Sequence, residues 1–149
     1  MNIKEDITAL RQFLGTIMPA GTIFSLQDTS KTPETGLFCI ELLPLNAETT
    51  RKITAAHNKV ERTFRLIYYG KSNIDVIDVT DLLRKKITNQ TKMRVGTGYT
   101  AIDAFSASQP FKTESEIDAV IFILQTSFVE KRTFPNVPKM DHIGIKFKL

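Results

Sequence analysis

The chain has 149 residues, 42% of them hydrophobic and 24% charged, which is the length of one domain and a composition far from that of disordered chains. A chain of this size hides roughly 68 to 70% of the surface its unfolded form exposes, so stability requires neither disulfides nor metals. Its single cysteine, Cys39, excludes an intramolecular disulfide and a cysteine-rich zinc site and suits a reducing compartment.

The first element reads as a helix. Ile3, Ile7, Leu10, Leu14 and Ile17 recur at alternating spacings of four and three, the period of one helical face. Asn2 and Glu5 form a capping-box pattern, and Gly15 and Pro19 mark the end. Lys4, Glu5 and Asp6 precede any apolar stretch, which does not fit a signal peptide. Thr22 to Gln27 is a short strand candidate. Asp28 to Gly36 consists almost entirely of turn formers and predicts an exposed, mobile loop that includes Lys31.

Leu37 to Leu45 predicts a mostly apolar strand, with Cys39 as a buried core thiol. Lys59 to Tyr69 predicts a second strand, with Val60, Arg62, Phe64, Leu66 and Tyr68 on one face. Between them, Asn46 to Asn58 fits either a short helix or the arms of a hairpin. Asn73 or Asp75 caps a second helix reaching Ile87, with Val79, Leu82, Leu83 and Ile87 as the buried stripe and Arg84, Lys85 and Lys86 near its C-terminal end, where cations suit the helix dipole. Tyr99 to Ala107 and Ile117 to Val129 read as strands, the latter as the central one. Its apolar run from Ala119 to Leu124 is far short of the roughly 20 residues that span a bilayer.

These elements predict an α+β fold: a mostly antiparallel sheet with the N-terminal helix and the second helix packed on one face. Residues 1–132 form its core domain and residues 133–149 a C-terminal extended basic arm. The net charge of +4 lies in the last 19 residues: up to residue 130 the basic and acidic side chains balance, whereas Lys131, Arg132, Lys139, Lys146 and Lys148 face only Asp141. After the connector Phe134-Pro135-Asn136-Val137-Pro138, the residues Ile143, Ile145, Phe147 and Leu149 alternate with polar ones or glycine, a strand pattern suited to pairing with a sheet edge. Self-association or partner binding is therefore assigned to Ile143, Ile145, Phe147, Leu149, Lys146 and Lys148, and to Lys31 in the loop.

Chemistry is poorly represented. His57 and His142 stand apart, without metal-ligand spacing, and are read as a polar loop residue and a solvent-facing strand residue. Asp75, Asp78 and Asp81 share one side of a helix, but the spacing and glycine of a calcium loop are missing. Gly96-Thr97-Gly98 precedes a strand and does not make a phosphate loop. No nucleophile motif is present, so neither catalytic residues, a metal nor a cofactor is assigned. Tyr68, Tyr69 and Tyr99, with Arg62, Arg65 and Arg94, are the residue types of a stacking surface for single-stranded nucleic acid, although at half-buried strand positions they more often pack the sheet.

The element order is more informative than any motif. An N-terminal amphipathic helix, a strand, a polar loop, the pair FCIELLPLN and KVERTFRLIYYG, the helix VIDVTDLLRKKI, a strand and the long IDAVIFILQTSFVEK resemble the tail terminator proteins of long-tailed bacteriophages and prophages. The segment Arg62-Thr63-Phe64-Arg65-Leu66-Ile67-Tyr68-Tyr69 followed by a helix carries the resemblance, which covers most of residues 1–132; the arm after Arg132 has no counterpart in the pattern. The resemblance implies a non-enzymatic subunit of the virion, assembled in the host cytoplasm. It implies a homo-oligomer, commonly a hexameric ring, that caps the tail tube protein, meets the head-side connector protein and lets DNA pass through its lumen, with no membrane contact. The alternatives are a head-completion or connector subunit and a small nucleic-acid-binding domain.

Overall fold

The computed structural model describes residues 2–26, 34–42 and 48–131. In chain order its elements are α1 (Ile3–Gly15), β1 (Ile23–Leu26), β2 (Leu37–Leu42), β3 (Glu48–Lys52), β4 (His57–Gly70), α2 (Asn73–Asn89), β5 (Lys92–Val95), β6 (Gly98–Ala107), β7 (Phe111–Lys112) and β8 (Asp118–Lys131). The fold is α+β, with one eight-stranded sheet in the order β1-β2-β4-β8-β6-β5. β3 extends the sheet beside the first half of β4, and β7 pairs with the start of β8. Every pairing is antiparallel except β1 with β2.

The spine is β4 against β8, paired without interruption from His57↔Lys131 to Gly70↔Asp118. Strict alternation in β4 turns Val60, Arg62, Phe64, Leu66 and Tyr68 to the buried face. There the core joins Phe38, Ile40, Phe64, Leu66, Val120, Phe122 and Leu124 of the sheet to Ile7, Leu10, Phe13 and Leu14 of α1 and to Val76, Val79 and Leu83 of α2. The opposite face of the two central strands carries half-buried side chains, Ile67 and Tyr69 from β4 and Ile121 and Ile123 from β8. A bulge between Ile102 and Ala104 inserts Asp103 into β6. The extra residue reverses the alternation and brings Phe105 to the core side, where its ring stacks on Phe122 at 5.5 Å.

Both helices start where the side chains can satisfy free backbone groups. Asn2 Oδ1 accepts from Glu5 N at 2.8 Å and Glu5 Oε2 accepts from Asn2 N at 2.9 Å, the capping box read from the sequence. For α2 the cap is Ser72, whose Oγ accepts from Asp75 N at 3.2 Å, rather than Asn73 or Asp75. The buried stripe is likewise shifted: Val76, Val79 and Leu83 are buried, Ile87 packs partly, and Leu82 is 42% exposed. Residues 48–58 resolve into β3 and a hairpin turn into β4, so the hairpin alternative holds there. Cys39 is half-buried on the face away from the helices, because its neighbours Phe38 and Ile40 take the core side. His57 opens β4 instead of lying in a loop, with its Nδ1 3.2 Å from Thr54 Oγ1.

Candidate functional site

The most heavily built polar cluster lies under the first turn of α1. Asp6 and Arg62 are 0% and 5% exposed, and Arg62 Nη1 donates to Asp6 Oδ2 at 2.5 Å. Arg62 Nε donates to Glu48 Oε2 at 2.8 Å, and Thr100 Oγ1 donates to Asp6 Oδ1 at 3.2 Å. The guanidinium also lies over the Phe128 ring, 5.0 Å from its centroid. Burial pulls the Arg62 pKa down, but the hydrogen bonds to Glu48 and Asp6 outweigh it and hold the group above its ordinary value. A guanidinium held so firmly protonated is a clamp joining α1, β3 and β4, with β6 tied in through Thr100 and Asp6, and it releases no proton near neutral pH.

A second junction fixes α2. Tyr68 Oη donates to Asp75 Oδ2 at 2.9 Å, and Lys71 N donates to the same oxygen at 3.0 Å. Burial first, and then this hydrogen bond, push the Tyr68 hydroxyl well above the usual tyrosine range. Gly70 permits the close approach: a Cβ there would lie 2.7 Å from both Asp75 Oδ2 and Val76 Cγ2. Asp75 is thus a packing residue, and Asp81 pairs with Arg84. Among the described residues no group of three histidine, cysteine or acidic side chains is placed to hold a metal.

Of the tyrosines and arginines considered for stacking, only Tyr99 and Arg94 are brought together at the surface. Tyr68 and Arg62 are buried in the two junctions. Tyr69 is half-buried on the opposite face, where burial and the neighbouring Cys39 raise its pKa against the influence of Arg65. Arg65 is paired with Glu41. Only Tyr99, 58% exposed, presents a ring to solvent, and Lys92 Nζ sits 5.5 Å from its centroid. Arg94, opposite Tyr99 in the ladder, is exposed beside them. The alternation of strands separates these groups, since Arg62 and Tyr68 share a face that Arg65 and Tyr69 do not.

The remaining features are surfaces. The outer side of α2 exposes Ile74 at 71%, with Ile77 and Leu82 also exposed. Beside its second half, a groove of about 270 Å³ runs between Arg84, Ile87, Thr88 and Thr91 and the stretch Ile102 to Phe105. β5 covers β6 only from Gly98 to Ala101, so from Asp103 onward β6 has no strand on its outer side among the described residues. This groove and edge carry no sequence motif. They arise from the short β5 and the bulge at Asp103.

All the residues assigned to self-association from the sequence, Lys31 and Ile143, Ile145, Lys146, Phe147, Lys148 and Leu149, lie outside the described residues. So do His142 and the segment 43–47. Among the described residues no helix is long and apolar enough to cross a membrane. No family model matches the chain, and neither does any curated protein.

Proposed function

We propose that this protein is a structural virion subunit, a phage tail terminator whose ring caps the tail tube and joins it to the head-side connector. The observation that carries this reading is the element order: an amphipathic helix, a short strand, two long antiparallel strands, a helix directly after the Tyr-Tyr-Gly end of the second, and a long final central strand. It is the order on which the resemblance to tail terminators rests. The polar side chains support it in a second way. The buried acid–base cluster at Asp6 and Arg62 holds elements together, and the outward features are an apolar helix face, an open strand edge and a groove, which are means of docking other chains. Native mass measurement of the full chain tests the assembly: a closed ring, hexameric for preference, appears at a fixed multiple of the 16.8 kDa subunit. A strict monomer, alone and with tail tube protein, contradicts it.

A second reading, a small nucleic-acid-binding domain, draws on Tyr99 with Lys92 and Arg94 at one sheet edge. One exposed ring and two cations make a narrow platform. Under this reading single-stranded DNA binds with an affinity that falls steeply with salt, as counterion release requires, and Tyr99→Ala weakens it.

A further inference from the structure

We infer that the open edge of β6 and the groove beside α2 receive the C-terminal arm of a second copy of this chain, residues 142–149, as an added strand. This rests on the ring proposed above and names the contact that closes it. The edge is charged only at Asp103, in the bulge. Its residues Ala104-Phe105-Ser106-Ala107 include no lysine, arginine or proline, whereas the neighbouring edge strand β5 points Lys92 and Arg94 outward. An added strand would put alternate side chains on the helix side, above the groove where Ile87, Ile102 and Phe105 present apolar surface. The arm has the matching pattern: Ile143, Ile145, Phe147 and Leu149 alternate with His142, Gly144, Lys146 and Lys148. One register therefore turns the large apolar residues of the arm to the groove side, those level with Ala104 to Ala107 over the groove itself, and leaves both lysines on the opposite side.

The geometry of the chain favours a neighbour's edge over its own. β8 runs away from the groove: the open edge is level with Phe122 to Gln125, and β8 continues past it to Lys131. The eight steps from Ile123 to Lys131 span about 27 Å at a strand's rise. To reach its own edge the arm must reverse and recover that distance with residues 132–141, which reach at most about 33 to 36 Å when straight. Pro135 and Pro138 favour extended backbone before and at each proline, which suits a reach to another subunit.

Cysteine exchange between full-length chains tests this. Ser106→Cys and Lys146→Cys are made in separate chains, mixed and oxidised, with the wild type and its lone Cys39 as the control. The inference predicts a mixed disulfide species of twice the subunit mass as the main product, lowered at least tenfold by excess of a peptide of residues 139–149. Oligomers that form no mixed cross-link overturn the arm contact and leave the ring standing. A chain carrying both substitutions that links only within itself also overturns it. Monomers by native mass before oxidation overturn the ring itself, so the two failures are distinguished.

Discussion

Arg62 Nη1 donates to Asp6 Oδ2 at 2.5 Å while its Nε donates to Glu48 Oε2 at 2.8 Å, so one guanidinium fastens the first helix and the third strand to the central strand between them. The two carboxylates are not equivalent. Asp6 is fully buried, whereas the Glu48 side chain is 38% exposed. Asp6→Ala leaves a buried cation short of its partner and should cost about 3 to 5 kcal/mol. Glu48→Ala should cost less than about 1 kcal/mol, because water replaces the exposed partner. Urea unfolding at constant slope measures both, and equal losses would contradict the distinction.

Gly70 offers a sharper steric test. An added methyl would meet Asp75 Oδ2 and Val76 Cγ2 at 2.7 Å, and the carboxylate retreats only by giving up its hydrogen bonds from Tyr68 Oη and Lys71 N. Gly70→Ala should therefore destabilise by about 1 to 3 kcal/mol, the usual cost of overpacking. A thermal midpoint unchanged from the wild type would show that the β4–α2 junction is looser than described.

The alkaline limb of stability should depend on Tyr68. Its folded pKa is raised, so the native state holds the phenolic proton more tightly than the unfolded chain, whose tyrosine titrates near 10. The contribution is fully present below that pH and is lost as pH rises above it toward the folded value. Tyr68→Phe should lower stability at pH 7 by about 1 to 2 kcal/mol, through loss of the bond to Asp75. It should also flatten the fall above pH 10, and an unaltered alkaline slope would contradict the assignment.

Much of this architecture is legible in the residues. The spacing from Ile3 to Ile17 and the Asn2–Glu5 pair locate α1, and the alternation from Val60 to Tyr68 identifies the buried face of β4. The first turn of α2 is less legible, because Ser72, Asn73 and Asp75 are all good caps and only Ser72 has the extended backbone that capping needs. The stripe runs through Val76, Val79, Leu83 and Ile87 and leaves Leu82 outside, although it is as apolar as Leu83. β5 escapes notice because Lys92-Met93-Arg94-Val95 is only four residues long, and its turn is built on Gly96 with φ of 58°. Of the sites that sequence patterns suggested, Tyr68, Arg62 and Asp75 are taken up by packing across elements, while Asp81 pairs with Arg84 along α2 and Asp78 is exposed. The groove beside α2 depends on where β5 stops and where Asp103 bulges, and neither is written in a local pattern.

The central claim is that this chain ends tail tubes, and electron microscopy of polymerising tail tube protein with and without it is the most direct measurement. The account predicts a ring seated at one end of each tube and tubes that stop growing once capped. Deleting residues 139–149 should weaken the capping while leaving the subunit folded. Tubes whose ends stay bare and whose lengths do not respond to the protein would contradict it.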